Sequence, residues 1–134
     1  LMCDVDHFKR FNDQYGHPQG DACLQQISAV LEGQLRHPGD LVARYGGEEF
    51  IAVLPGVNAL DAAQAAERVR RAVEALQMRH DASPTAPVVT LSIGVATRQA
   101  KEGPSDGSQA LLSLADEALY QAKNEGRNRV SVKD

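Results

Sequence analysis

The sequence predicts an α+β domain: a mixed, largely antiparallel sheet with helices packed on its faces. Three observations carry that expectation. Apolar, β-rich runs of strand length occur at Leu1 to Val5, Leu41 to Tyr45, Glu49 to Leu54, Val88 to Thr97 and Arg129 to Val132. Segments with apolar residues at helical spacing separate them. The two middle strands follow each other directly across Gly46-Gly47, so the order is βα, hairpin, then αβαβ, and a hairpin requires antiparallel neighbours.

Taken in order, Leu1 to Val5 reads as a short buried strand. His7 to Tyr15, with Phe8 and Phe11 three apart, reads as a short helical turn that Gly16-His17-Pro18 breaks. Asp21 then caps or opens a longer helix in which Leu24, Ile27, Leu31 and Leu35 recur, and His37-Pro38-Gly39 ends it. The hairpin follows, with glycine expected at its turn because only glycine adopts positive φ without steric cost, and Pro55-Gly56 closes it. Asn58 caps an alanine-rich helix running to Met78, with Leu60, Ala63, Val69, Val73 and Leu76 on its buried side. In the strand Val88 to Thr97, Gly94 marks either a bulge or a close backbone approach. Residues Ala100 to Gly107 read as a polar loop. Ser108 to Lys123 is helical, with Leu111, Leu114, Ala118 and Leu119 inward, and Gly126 stops it.

Bulk properties narrow the function. The 134 residues suffice for one domain, 1–134, with a real core. Hydrophobic content of 43% against 24% charged residues is ordinary for a globular chain. A net charge of −4 argues against a wide nucleic-acid-binding face. No apolar run reaches the length of a membrane span. Cys3 and Cys23 make no metal spacing; Cys3 lies in an apolar run and reads as a small core residue, and the compartment expected is the cytoplasm. An anchor elsewhere in the whole protein is compatible with that.

The chemistry concentrates at Arg44-Tyr45-Gly46-Gly47-Glu48-Glu49-Phe50. Two adjacent carboxylates at a turn repel each other unless a cation sits nearby. The glycines leave room for a phosphate or ribose to approach the backbone. Asp4 ends the first strand, and if that strand pairs beside the hairpin, Asp4 and Glu48 converge at one end of the sheet. Asp6, two residues on, is expected to face the same way and is given only a supporting role.

This stretch resembles the signature of GGDEF domains, the diguanylate cyclases, in the variant with Glu at the third position. Asp4-Val5-Asp6-His7-Phe8-Lys9 with Asn12-Asp13, Tyr15-Gly16-His17 and Gly20-Asp21 matches the family's first block. Ser92-Ile93-Gly94-Val95-Ala96 matches another, and Ala115-Asp116 through Ala118-Leu119-Tyr120-Gln121-Ala122-Lys123 with Gly126-Arg127-Asn128 matches the last. The resemblance runs from Asp4 to about Val130 in family order. It implies a ferredoxin-like palm similar to nucleotidyl cyclases. It also implies condensation of two GTP into cyclic di-GMP with release of two pyrophosphates.

The resemblance further implies a metal site at Asp4, the Val5 carbonyl and Glu48, holding Mg²⁺, with Mn²⁺ as the alternative. Glu48, Glu49 and Lys9 form the catalytic set, and either glutamate can be the base. Asn12 and Asp21 read guanine, for which a carboxylate and an amide have the right donors and acceptors. His7, Phe8 and Lys9 line the phosphate and ribose side, beside Gly46 and Gly47; Phe8 serves equally as core. Lys123 and Arg127 clamp the β- and γ-phosphates. Their spacing of four shares one helical face, and helix-dipole compensation explains them as well.

Joining two nucleotides needs two domains face to face, so the resemblance implies a homodimer and an upstream sensory or regulatory domain. The related domains carry a Leu-Thr-Gly-Leu-like stretch ahead of the first strand, so this chain is expected to lack its N-terminal segment. Many members also have an Arg-x-x-Asp product-inhibition motif whose arginine stands nine residues before the first turn glycine. Here that window reads His37-Pro38-Gly39-Asp40, with Arg68 as a secondary contact, so the inhibitory site is expected to be degenerate. The alternative function is a non-catalytic module that binds GTP or cyclic di-GMP and signals through partners. A cyclase taking ATP is a third, which Asp21 disfavours. Degenerate members lose turn glycines or carboxylates, and this chain keeps them.

Overall fold

A computed structural model describes residues 1–99 and 107–133. Its elements are β1 (Met2–Val5), α1 (Phe8–Tyr15), α2 (His17–Gln34), β2 (Leu41–Arg44), β3 (Glu49–Val53), α3 (Ala59–Ala75), β4 (Leu91–Ala96), α4 (Gly107–Asn124) and β5 (Val130–Lys133). The five strands form one sheet in the order β2-β3-β1-β4-β5. Every neighbouring pair is antiparallel except β4 and β5, so the sheet is mixed and largely antiparallel as expected. The loop reading of residues 100–106 lies outside the described residues.

Period-2 alternation distributes the strands between two cores. Cys3, Val5, Phe50, Ala52, Leu91, Ile93 and Val95 face Ile27 and Leu31 of α2 and Val69 and Val73 of α3. Met2 faces the other way, toward Ala115 and Leu119 of α4. α4 lies close enough to the sheet for Gly94 to be obligatory. A Cβ there would sit 2.9 Å from Leu119 Cα and nearer still to the Ala115 carbonyl oxygen and Leu119 amide nitrogen. Of the two expectations for Gly94, close approach is the correct one.

Three local expectations change. α2 begins at His17 with Gly16 as its N-cap and Pro18 in its first turn, so Gly16 alone makes the break and Asp21 lies inside the helix. Proline in a first turn costs nothing, because its missing N–H would be unpaired there anyway. On α3, Asn58 is the cap, its side chain accepting from the Asp61 N–H at 2.8 Å. The buried stripe, however, is Ala62, Ala65, Ala66, Val69 and Val73, while Leu60 is 67% exposed. Leu60 precedes Val69 by nine residues, which at about 100° per residue puts it on the opposite face. Leu76, also expected inward, is the exposed C-cap.

Neither Gly46 nor Gly47 has positive φ; among the described glycines only Gly16, Gly39, Gly56 and Gly126 do. The β2–β3 connection is four residues, 45–48, wide enough to turn without the left-handed region. What the glycines leave there is open space above the turn. Nothing lies within 4 Å of where a Cβ on Gly47 would stand. Among the described residues no helix is long and apolar enough to cross a membrane.

Candidate active site

β1 pairs with β3 in a register that sets Asp4 opposite Glu49. Beyond the ladder, the Val5 N–H donates to the Glu48 carbonyl at 3.2 Å, fastening the end of β1 to the hairpin turn. Asp4 and Glu48 are thereby neighbours. Burial pushes the Glu48 carboxyl above its ordinary range, and the Asp4 and Glu49 charges push it further, with Lys123 opposing them. Lys123, in the last turn of α4, donates to Asp4 Oδ2 at 2.9 Å. Asp4 is 6% exposed, so this ion pair is shielded from solvent on one side.

Asp4 and Glu48, neighbours at the end of β1, offer the oxygen ligands that a hard divalent cation takes, its shell being completed from water and substrate phosphate. A cation there would offset the Asp4 and Glu49 charges that, after burial, raise the Glu48 carboxyl. Among the described residues no group of three or more acidic, histidine or cysteine side chains is clustered closely enough to hold a metal ion.

The turn beside these carboxylates is held open. Arg44 reaches over it, donating from Nη2 to the Gly47 carbonyl at 2.7 Å and from Nε to the same carbonyl at 3.1 Å. The Tyr45 N–H donates to the Glu49 carbonyl at 2.8 Å. The Glu49 side chain folds back over Gly46, with Oε2 3.1 Å from the place a Cβ would take. Any side chain at Gly46 would therefore meet that carboxylate.

Asn12 of α1 meets α2 at Gly20, the residue before Asp21. The Asn12 side chain lies directly over Gly20, where a Cβ would collide with Asn12 Oδ1. That oxygen is buried and has no hydrogen-bond partner, and leaving an acceptor so costs about 1–3 kcal/mol. Asp21, next to Gly20, is exposed inside α2 and caps nothing. The expectation that Asp21 caps or opens the helix is therefore removed.

The stretch after β1 is shaped by His7, the N-cap of α1, at φ 53°. Burial, with Arg127 second, lowers His7's affinity for a proton. Its Nε2 hydrogen-bonds Thr85 Oγ1 at 2.9 Å, and the buried His80 bonds its carbonyl at 3.0 Å. Phe8 is 7% exposed and stacks with Phe11, so its ring is core. Lys9 is exposed.

α4 ends at Asn124, so Lys123 and Arg127 do not share a helical face as their spacing suggested. Gly126 at φ 123° lets the chain reverse, and the Arg127 N–H donates back to the Ala122 carbonyl at 3.0 Å. In the 37–40 loop, Asp40 Oδ2 accepts from the His37 N–H at 3.0 Å, while the His37 imidazole points outward. Arg68 is exposed on α3.

Sequence reasoning missed the braces on the turn and on His7, and the partners of Asp6, to which it gave only a supporting role. Arg44 braces the turn. His80 and Thr85 brace His7. The buried Asp6 joins Thr90, Ser92 and Asn128. Only the last left a trace in the sequence, as polar residues interrupting apolar strands.

Comparison with known proteins agrees with this geometry. The family described as "Diguanylate cyclase, GGDEF domain" matches residues 1–129. Diguanylate cyclase A of Treponema denticola is 39% identical over 132 residues, 98% of this chain and 34% of that protein. The chain thus spans about a third of that relative's length, and 18% to 29% of the next curated ones. The GGDEF domain of DgcB from Caulobacter crescentus, solved in complex with c-di-GMP, superposes with a TM-score of 0.82 at 34% identity. That superposition covers 98% of this chain and 74% of that one. The active GGEEF domain of a diguanylate cyclase from Vibrio cholerae gives 0.80 at 31% identity, covering 99% and 80%. With a family match across nearly its whole length, this chain belongs to the GGDEF domain family.

Proposed function

We propose that this domain is a diguanylate cyclase that condenses two GTP into cyclic di-GMP and releases two pyrophosphates. The observation that carries the reading is the convergence of Asp4 and Glu48 beside an open glycine turn, with Lys123 reaching in from α4. A divalent cation, Mg²⁺ or Mn²⁺, held by Asp4, the Val5 carbonyl and Glu48 would neutralise charge developing on the phosphates.

The chain's own groups do the rest by positioning. Asn12 and Asp21 hold the guanine edge; the unpartnered Asn12 Oδ1 supports this, since a ligand would satisfy it. Lys9, Lys123 and Arg127 bind the phosphates, beside the main chain of His7 and Phe8 and over Gly46 and Gly47. We assign Glu49 as the group that accepts the 3′-hydroxyl proton, because its carboxylate folds over the open turn. Glu48 is taken by Asp4's side of the site. Each 3′-hydroxyl attacks the α-phosphate of the other GTP, so two domains must face one another, and a homodimer is part of the proposal. An upstream regulatory region would bring them together, in the cytoplasm where GTP is found.

The product-inhibition site reads as weak. His37 replaces the arginine, and Asp40 Oδ2 is already engaged with the His37 N–H, with Arg68 left to act alone. An imidazole lacks the planar guanidinium fork that grips a phosphate. Incubation of the intact protein with GTP and Mg²⁺, followed by product identification, tests the activity. A non-catalytic binding module would return GTP unchanged.

A further inference from the structure

Asp6 is 2% exposed and ionisable, and the chemistry above gives it no part. Its carboxylate accepts three hydrogen bonds from two parts of the chain. Thr90 Oγ1 donates to Oδ2 at 2.7 Å, and Ser92 Oγ donates to Oδ1 at 2.6 Å. The third donor is the backbone N–H of Asn128, 3.0 Å from Oδ2. The two hydroxyls belong to the β4 side; the amide belongs to the turn between α4 and β5, which carries Arg127.

That turn is strained. Arg127 at φ 64° and Asn128 at φ 45° are consecutive non-glycine residues in the left-handed region. Asparagine tolerates it; arginine rarely does. Such a conformation persists only where its surroundings over-determine it. Asp6 holds the turn from inside the fold. From outside, the Asn128 amide donates to Glu74 Oε2 at 2.6 Å, and Arg70 Nη1 donates to Asn128 Oδ1 at 2.8 Å. The residue braced from both sides is the one immediately after Arg127.

We propose that Asp6, backed by the Arg70–Glu74–Asn128 cluster, is a positioning residue that fixes the backbone at Arg127 and so aims its guanidinium at the β- and γ-phosphates of the nucleotide. This rests on the phosphate role given to Arg127 above. A buried polar group beside Asp4 is costly unless its hydrogen bonds are made, and an apolar side chain at position 6 would leave the Asn128 N–H at the strained turn without its acceptor.

The experiment measures dissociation constants of two ligands for the intact protein: the guanosine triphosphate analogue with an uncleavable α,β-methylene bridge, and GMP. In Asp6→Ala the triphosphate should weaken by about tenfold or more, the loss of a charge-assisted contact. GMP, which lacks the outer phosphates, should stay within about twofold. Asp6→Asn should keep the ratio of the parent protein. Its amide oxygen can take the Oδ2 place under the Asn128 N–H while Nδ2 donates to Ser92. Adding Arg127→Ala to Asp6→Ala should cost little more, because both remove the same interaction. Equal weakening of both ligands in Asp6→Ala, or fully additive losses in the double variant, would overturn the inference and leave Asp6 as plain scaffold. A parent protein that binds the triphosphate no tighter than GMP overturns the phosphate role of Arg127 as well, and so marks a failure of the underlying reading. Should Asp6→Ala not fold, Glu74→Ala cuts the outer brace at the surface of α3. It should weaken the triphosphate alone, and an unchanged ratio there rejects the proposal.

Discussion

Replacing Gly94 by alanine tests how the sheet and α4 together build the site. The new Cβ would stand 2.9 Å from Leu119 Cα, against the 3.4–4 Å of ordinary contact. It would lie closer still to the Ala115 carbonyl oxygen and the Leu119 amide nitrogen. All three are backbone atoms of a helix, so no side-chain rotation relieves the clash, and α4 must retreat by at least about 0.5 Å against the nearest carbon alone. Overpacking of this kind costs about 1–3 kcal/mol. In a domain of this size that lowers the melting temperature by roughly 3–10 °C. The functional consequence follows from Lys123, which sits on the same helix 2.9 Å from Asp4. A displaced α4 withdraws that cation, and product formation should fall by about tenfold or more. Thermal unfolding and initial rates of product formation, measured on the same preparation, check both halves. A Gly94→Ala protein with an unchanged melting temperature and normal turnover would refute the reasoning, because it would mean that α4 is not seated against β4 as described.

Glu48→Ala should reduce turnover by about a hundredfold or more in the same assay, by removing a metal ligand. Because Glu48's folded value is raised, the native chain keeps its proton to higher pH than the unfolded chain does. The stability from this group is full below the ordinary glutamate value and lost as pH rises through the raised one. Glu48→Gln should therefore flatten that acid-side slope and melt higher than the parent in metal-free buffer near pH 7, readable by calorimetry. Asp21→Ala should reduce the preference for GTP over ATP by about tenfold or more while slowing the GTP reaction less, as competition kinetics would reveal. Cyclic di-GMP should inhibit weakly or not at all. Sub-micromolar binding in a calorimetric titration, abolished by Asp40→Ala, would contradict the reading of the 37–40 loop.

The sheet was legible because its signals are local. Period-2 runs and a glycine hairpin specify strands and one antiparallel pair, and the helical stripes specify the layers. Helix ends were less so. Asp21 looked like a cap because capping chemistry favours aspartate, yet Pro18 starts the helix earlier and leaves Asp21 mid-helix and exposed. Leu60 looked buried because it is apolar, but the turn of the helix places it opposite Val69. At the site, Asp4, Glu48 and Lys123 could be named from sequence, and the β1–β3 register and α4 bring them together. What could not be read was the bracing, because Asp6 to Asn128 spans 122 residues and Arg44 acts on main-chain carbonyls. Contacts of that kind depend on where the chain returns in space. Of the two reasons offered for Gly46 and Gly47, positive φ is absent from the turn, and room above the backbone is the one left.

The central claim is that the Asp4–Glu48 turn performs phosphoryl chemistry on GTP. Its most direct test is to incubate the intact protein with GTP labelled at the α-phosphate, in Mg²⁺ and then in chelator, and to separate the products. The account predicts label in cyclic di-GMP, two pyrophosphates released per product, second-order dependence on domain concentration where the dimer dissociates, and none of this in chelator or in Glu48→Ala. Label remaining in GTP with a folded, nucleotide-bound protein, or cyclic di-GMP formed equally well by Glu48→Ala, would contradict it.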